Sequence, residues 1–227
     1  KMTTVKSCEI DGTTINTAET ESLAFIKRDG KWQLGEPTGL TKSPELQGPI
    51  DDAFYSPFVV VLPSAVENNA TIQRWLDFEF KHLRDRWKSL YRGELPVITD
   101  KQLTREMIKT HNLVLWGTPK TNSVMRRLLN DQNLKHSMPL AWSNSKVAIG
   151  DQQFDSKNHL PLMIYPNPLN ANRYVVINSG PTHREGHDRT NSLQNPKLPD
   201  WSIINLDELP NDMAPGAVVS HGFFDER

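Results

Sequence analysis

Short runs of apolar, often β-branched residues alternate with longer amphipathic stretches along most of the chain. The run at Phe58–Leu62 is uniformly apolar, and similar runs of four or five residues lie at 112–116, 162–165 and 174–178. A short apolar run without polar alternation is typical of a strand in a sheet that is covered on both faces. These four runs therefore predict strands of a buried sheet.

Between these runs, apolar residues recur every three or four positions, which is the period of an amphipathic helix. The clearest case is Ala70–Tyr91, for which Asn69 is a suitable N-cap residue. A further helix is predicted after Thr104, and another after Thr121 or Asn122.

The remaining segments give weaker patterns. They predict short strands at 96–99 and 201–206, a hairpin at Leu140–Trp142 and Lys146–Ile149, and a short helix at about 183–193. The polar segment 166–173 is rich in Asn and Pro, which favour turns. It predicts a crossover turn in which the Asn167 and Asn170 side chains bond backbone groups.

Alternation of strands with helices predicts an α/β domain. We expect residues 58–227 to form a three-layer domain with a mostly parallel, Rossmann- or flavodoxin-like sheet. Residues 1–37 are rich in Thr, Ser and Glu and contain two Asp-Gly turns, which predict a small N-terminal β appendage, either a β-meander or the tail of a β-sandwich. The segment 38–57, with its Pro, Gly and Ser residues, is expected to connect the two.

Composition narrows the classes of function. The 227 residues carry a net charge of −1, which argues against an electrostatic nucleic-acid binder. The longest apolar run has five residues, far fewer than a membrane-spanning helix needs. Cys8 is the single cysteine, so intrachain disulfides and Cys-rich metal sites are excluded.

The sequence contains no G-x-S-x-G motif of the kind that presents the nucleophile in α/β-hydrolases. Ser179 follows a predicted strand and has His183 nearby, but Pro181 stands where the nucleophile turn needs a small residue. A turn serine is the favoured interpretation, and we expect no catalytic residue in this chain.

Two groups of residues resemble metal-ligand spacings. His183 and His187 are four residues apart, but Glu185 is misplaced for the H-E-x-x-H motif and Gly186 weakens a helix. A second spaced group consists of Asp151, Asp155 and His159. Polar loops account for both groups, so we predict neither a metal nor a cofactor.

Two other polar segments allow more than one interpretation. The loop 117–122 follows a strand and opens a helix, so its N–H groups could hold an anion, although helix capping also explains Thr121 and Asn122. Asp51 and Asp52 could be catalytic or could anchor the connector, and anchoring is the expected role because adjacent carboxylates point in different directions.

Ligands of parallel sheets bind beyond the carboxyl ends of the strands. If the chain binds a small ligand, we expect the binding residues at this rim. The candidates are Thr118, Asn122, Tyr165, Asn167, Ser179 and His183.

Five segments together suggest a family. They are LQGPIDDAF (46–54), RGELPV (92–97), HNLVLWGTPKTN (111–122), IYPNPLNANRYVVINSG (164–180) and GFFDER (222–227). The combination resembles the C-terminal region of large bacterial proteins described as prolyl oligopeptidase-like or esterase-like serine hydrolases of the α/β-hydrolase superfamily. The resemblance covers nearly all of residues 25–227.

The resemblance implies an upstream α/β-hydrolase domain that carries the catalytic serine, with this region as a non-catalytic accessory domain. Its expected partner is the hydrolase domain of the same polypeptide, on which it packs or for which it positions substrate. The resemblance slightly favours a periplasmic or extracellular bacterial protein. Two alternatives remain open: a stand-alone hydrolase or metal-dependent enzyme that uses residues 183–188, and a small-ligand-binding module at the strand-end rim.

Overall fold

A computed structural model describes residues 6–17, 23–36, 39–134 and 137–224. The chain divides into two compact units, one formed by residues 1–41 with 225–227 and the other by residues 42–224. Residues 1–5, 18–22 and 37 of the predicted N-terminal β appendage lie outside the described residues.

The first unit contains two β-hairpins. Strand β1 (Ser7–Ile10) pairs with β2 (Thr13–Asn16), and β3 (Phe25–Arg28) pairs with β4 (Lys31–Leu34), both antiparallel. Each hairpin turns at an Asp-Gly pair whose two residues have positive φ, which is the conformation that such turns require. The Asp11 carboxylate accepts hydrogen bonds from Lys27 Nζ and Trp32 Nε1 and so joins the two hairpins.

The second unit contains ten strands and three α-helices within its described residues. In chain order they are β5 (Phe58–Leu62), α1 (Ala70–Tyr91), β6 (Val97–Thr99), α2 (Arg105–Thr110), β7 (Asn112–Leu115), α3 (Ser123–Asn130), β8 (Leu140–Trp142), β9 (Lys146–Ile149), β10 (Gln152–Asp155), β11 (His159–Asn167), β12 (Asn170–Ile177), β13 (Trp201–Asn205) and β14 (Ala217–Gly222). One-turn 3-10 helices lie at Ile50–Phe54, Glu185–His187 and Asn191–Leu193.

The central sheet has seven strands in the order β14-β13-β11-β12-β7-β5-β6. Strands β12, β7, β5 and β6 are parallel to one another, whereas β11, β13 and β14 pair in antiparallel fashion. Strands β8, β9 and β10 form a separate antiparallel sheet. The prediction of a three-layer, mostly parallel Rossmann- or flavodoxin-like domain is therefore wrong: the unit is mostly β, and its main sheet is mixed.

The error arose at strands β11 and β12, whose apolar runs 162–165 and 174–177 are largely buried on both faces. Burial of both faces is typical of parallel strands, but it does not set strand direction. Only two residues separate β11 from β12, and a parallel connection needs a dozen or more. The segment 166–173 is thus a β-hairpin rather than a crossover.

The predicted amide hydrogen bonds of this hairpin are confirmed. Asn167 Oδ1 accepts from the Leu169 N–H at 2.9 Å, and Asn170 Nδ2 donates to the Ile108 and Lys109 carbonyls at 3.0 and 3.1 Å. The side chain of Asn170 therefore ties the hairpin to the end of α2.

Helix α1 has the predicted bounds. The Asn69 side chain accepts hydrogen bonds from the Thr71 and Ile72 N–H groups, as an N-cap does. Its apolar face packs in the main core, where Trp75 stacks on Trp116 with ring centroids 6.2 Å apart.

None of the helices in the described ranges combines the length and the apolar character that a membrane span needs.

Much of the predicted connector 38–57 belongs to the second unit, which begins at Lys42. Leu46, Ile50 and Ala53 are buried in its core. Strands β10 and β14 were not predicted, and the helix expected at 183–193 consists of two separate 3-10 turns.

Candidate functional site

The parallel part of the main sheet creates a crevice between two loops. Strand β5 lies between β6 and β7, and the chain passes from β5 through α1 to β6 and then crosses through α2 to the other side of β5. The loops that follow β5 and β7 therefore lead away from each other, and ligands commonly bind at such a reversal of strand order.

A cleft of about 440 Å³, partly open to solvent, lies at this crevice. Four parts of the second unit line it: the loop before α1, the loop and helix after β7, the turn between β8 and β9, and the turn after β10. The lining residues are Glu67, Asn69, Ile72, Thr118, Pro119, Lys120, Arg126, Asn130, Trp142, Ser143, Asn144, Ser156 and Lys157.

Glu67 is the acidic residue of the cleft lining, and both of its carboxylate oxygens have partners. One accepts from the Asn69 N–H at 3.1 Å, and the other accepts from the Thr118 hydroxyl at 2.6 Å. Glu67 is also buried. The carboxylate thus connects the loop before α1 to the loop after β7 and fixes the base of the cleft.

Three cationic side chains line the same cleft, namely Lys120, Arg126 and Lys157. All three are exposed, and within the described residues none of them forms an ion pair. With Glu67 as the one acidic side chain among the lining residues, the cleft has an excess of positive charge.

The N-terminus of α3 does not offer its first amides to a ligand. The Asn122 side chain accepts from the Val124 and Met125 N–H groups, and the Ser123 N–H donates to the Asp100 carboxylate at 2.7 Å. Asn122 also donates to the Val61 and Trp116 carbonyls. Of the two interpretations of the sequence, an anion site or a helix cap, capping therefore explains Asn122.

The six candidate ligand residues do not meet at one edge of the sheet. Thr118 lies in the cleft, and Ser179 follows β12 at the same end of the parallel strands. Tyr165 and Asn167 lie at the end of β11, which runs antiparallel to β12 and so ends at the opposite edge. Asn122 is a buried cap, and His183 lies in the loop beyond Ser179. A single rim through all six residues required a parallel sheet.

Tyr165 and Asn167 have structural surroundings. The Tyr165 ring packs edge to face against Phe224 with centroids 5.1 Å apart, and burial raises the pKa of its phenol. Asn167 is fully buried and closes its own turn.

Ser179 is placed as a turn residue. Its hydroxyl donates to the Gly180 carbonyl at 3.0 Å, and no histidine in the described part of the chain forms a hydrogen bond with it. Gly180 packs against Leu83 of α1 so closely that an added Cβ would lie 2.4 Å from a Leu83 methyl carbon. The turn is therefore packed tightly against the helix.

The segment 184–188 binds to one side of α1 through three pairs of polar side chains. Both terminal nitrogens of Arg184 donate to the Glu79 carboxylate at 2.9 Å, His82 contacts Glu185 at 2.9 Å, and Arg86 forms a bidentate pair with Asp188. We call this set of three pairs the α1 clamp. Glu79, His82 and Arg86 fall on one side of the helix because they are spaced by three and four residues.

The clamp accounts for the polar residues that resembled a metal motif. His187 Nδ1 accepts from the Arg184 N–H at 3.0 Å, and burial lowers the pKa of His187, which favours the neutral ring that this bond requires. The arginine at position 86 holds the pKa of Asp188 below its usual value. Among the residues that the structure describes, no group of three His, Cys, Asp or Glu could hold a metal ion.

The second spaced group also has local roles. The Asp155 carboxylate accepts from the Lys157 N–H, and His159 Nδ1 lies 3.0 Å from the Asp155 carbonyl oxygen. These contacts order the turn between β10 and β11.

Asp51 and Asp52 anchor the segment before β5 to distant parts of the unit. Asp51 accepts from the N–H and the hydroxyl of Thr182, and burial raises its pKa. Asp52 accepts from the Tyr174 hydroxyl, whose pKa is raised by burial and by this hydrogen bond. The two carboxylates point to different partners and form no acid–base pair.

Sequence reasoning missed Lys120, Arg126 and Lys157 as one group. The loop 117–122 was considered as an anion site, but for its N–H groups rather than for Lys120. Arg126 follows Lys120 by six positions, and Lys157 follows Arg126 by a further 31. No local motif therefore contains all three.

Comparison with protein-family models, with curated proteins and with solved structures gives no match to this chain.

Proposed function

We propose that this chain is a non-catalytic accessory domain of a multidomain bacterial serine hydrolase, and that it positions substrate for the hydrolase domain. The observation that carries the proposal is the cleft at the ends of β5 and β7, which is concave and lined by both apolar and charged side chains. The link to a hydrolase rests on the five sequence segments that resemble such proteins.

The positions of these segments support a structural and binding role. Residues 46–54 anchor the unit through Asp51 and Asp52, and residues 164–180 include most of the β11–β12 hairpin. Residues 111–122 include β7 and the loop that forms one side of the cleft. The resemblance thus falls on residues that build the sheet and the cleft.

The groups that could act in catalysis have structural partners instead. Ser179 donates to a backbone carbonyl, and the 183–188 segment is bound to α1 by the clamp. These contacts favour the accessory role over a stand-alone hydrolase or a metal-dependent enzyme at this segment. Leu46 and Ile50 of the 38–57 segment are buried within the unit itself. This burial favours substrate positioning over packing of that segment on the hydrolase domain.

Two measurements test the proposal. The purified chain should not turn over short-chain esters or peptides above the blank, and Ser179→Ala should leave that result unchanged. Turnover that disappears in Ser179→Ala would overturn the non-catalytic role.

The second measurement uses the full reading frame. It should encode an upstream hydrolase domain, and Arg126→Ala in the full-length enzyme should raise KM several-fold while kcat stays the same, because the cleft acts on binding. Arg127→Ala is the matched control, since Arg127 is exposed on the same helix but does not line the cleft. A reading frame without a hydrolase domain would contradict the accessory role, whereas an unchanged KM would contradict only the positioning of substrate by the cleft.

A further inference from the structure

We propose that the cleft binds a small organic ligand through a carboxylate or phosphate group. The inference rests on the proposed function, because it names the class of substrate that the accessory domain would position. Its basis is the arrangement of three cations around one concave surface, on which Glu67 is the one acidic residue among the described lining residues and already accepts hydrogen bonds from Asn69 and Thr118.

The Glu67 carboxylate does not neutralise the three cations. Both of its oxygens are occupied by the Asn69 N–H and the Thr118 hydroxyl, and the side chain is buried at the base of the cleft. A ligand anion would therefore meet cations that are not held by an internal partner.

The three cations belong to separate segments that the fold brings together. Lys120 lies in the loop after β7, Arg126 lies on α3, and Lys157 lies in the turn after β10. That turn is tied to the start of α1, because the Asn69 side chain donates to the Lys157 carbonyl at 2.7 Å. The backbone that carries Lys157 is thus fixed, while its ammonium group remains exposed.

The rest of the lining indicates an organic ligand rather than a bare ion. Ile72 and Trp142 add buried apolar surface, whereas Ser143, Asn144 and Ser156 add hydroxyl and amide groups. A cleft of about 440 Å³ has room for a ligand larger than inorganic phosphate. An organic ligand with one anionic group can contact both the apolar and the polar side chains of this lining, while its anionic group contacts the cations.

The chemistry of the anion can be resolved with three sugars that share one ring: glucose, glucuronate and glucose 6-phosphate. Each is titrated into the purified chain while backbone amide shifts are followed by NMR. We expect saturable shifts at cleft residues with glucuronate, with glucose 6-phosphate or with both, and none with glucose. The two anions distinguish a carboxylate ligand from a phosphate ligand.

Charge-reversal variants locate the binding. Arg126→Glu and Lys157→Glu should each weaken the anion by at least about tenfold, because a charge-assisted hydrogen bond is lost and a like charge is introduced. Arg127→Glu makes the same change in net charge on the same helix outside the cleft and should have a much smaller effect. Raising the salt concentration from about 10 mM to about 150 mM should weaken wild-type binding, because the cations are exposed.

Three results would overturn the inference: no saturable binding of either anion, equal binding of glucose, or equal losses in Arg126→Glu and Arg127→Glu. All variants should keep the wild-type melting temperature, since these side chains are exposed. Failure to bind anions would leave the accessory role intact, whereas Ser179-dependent ester turnover would overturn that role without affecting anion binding.

Discussion

The α1 clamp and the cleft are both rich in charged residues, but they satisfy their charges in opposite ways. In the clamp, each of three ionisable side chains on α1 has a partner in the 184–188 segment. In the cleft, the described residues show no ion pair for the three cations, and the Glu67 carboxylate accepts from the Asn69 N–H and the Thr118 hydroxyl instead. Charges that serve the fold are paired within it, and charges without an internal partner on a concave surface are available for a ligand.

Burial explains the difference in physical terms. Glu79 and Arg184 have side chains that are 8% and 6% exposed, and buried charges must be paired because water no longer solvates them. Asp188, also in the clamp, is 37% exposed, so its pairing matters less. The cations of the cleft are exposed, and solvent replaces the partner that they lack.

The largest effect is expected for Arg184→Ala. This change leaves the Glu79 carboxylate buried without its partner and should lower the free energy of unfolding by about 3–5 kcal/mol. Chemical denaturation measures the loss. Arg189 is an exposed arginine directly after the 184–188 segment. Arg189→Ala should therefore lower the free energy of unfolding by less than about 0.5 kcal/mol.

A second variant sharpens this test. Replacing both partners, as in Glu79→Leu with Arg184→Met, should recover a large part of the stability, since no charge is then left unpaired. A loss of stability below about 1 kcal/mol in Arg184→Ala would mean that the Glu79–Arg184 pair is not buried in solution.

A smaller, pH-dependent effect is expected for Asp188→Asn. The hydrogen bond from Arg86 lowers the pKa of Asp188 below its usual value of 3.8. The pair therefore contributes its full stabilisation above pH 3.8 and loses it as the pH falls through the lowered pKa of the folded state.

The measurement is the difference in free energy of unfolding between wild type and Asp188→Asn across the acid range. This difference should be on the order of 1 kcal/mol or less at neutral pH, because Asp188 is partly exposed, and it should shrink below pH 3.8. A difference that stays constant down to the acid transition would show that the Arg86–Asp188 pair does not set the pKa.

The smallest effect on stability is expected in the cleft. Arg126→Ala should change the free energy of unfolding by less than about 0.5 kcal/mol, since its exposed side chain has no ion-pair partner among the described residues. Thermal denaturation of Arg126→Ala and Arg184→Ala under the same conditions compares the two losses of stability directly. A loss of more than about 1 kcal/mol would indicate that Arg126 serves the fold.

Local features of the fold were predicted well from the sequence. The bounds of β5 and α1, the caps Asn69, Thr104 and Asn122, and the β8–β9 hairpin agree with the structure. Each depends on contacts within a few residues, such as a side chain that bonds an N–H two or three positions ahead. Such contacts are visible in the order of the amino acids.

The direction of β11 relative to β12 was not predicted, and this single error moved Tyr165 and Asn167 to the wrong edge of the sheet. Residues such as Ile164 and Val176 are buried in either direction. The clamp was missed for a related reason, since Glu79 and Arg184 are 105 positions apart in the chain. Nothing local indicated that they would pair.

The sequence by itself therefore determined the bounds of β5 and α1, the positions of helix caps such as Asn69 and Thr104, and the burial of apolar runs such as Phe58–Leu62. Tertiary structure alone decided which strands run parallel, which charges become partners and which three cations share a cleft. The reason is that periodicity and capping depend on neighbours in the chain, whereas strand direction and charge pairing depend on how distant segments pack. A residue such as Arg184 or Arg126 acquires its role only through that packing.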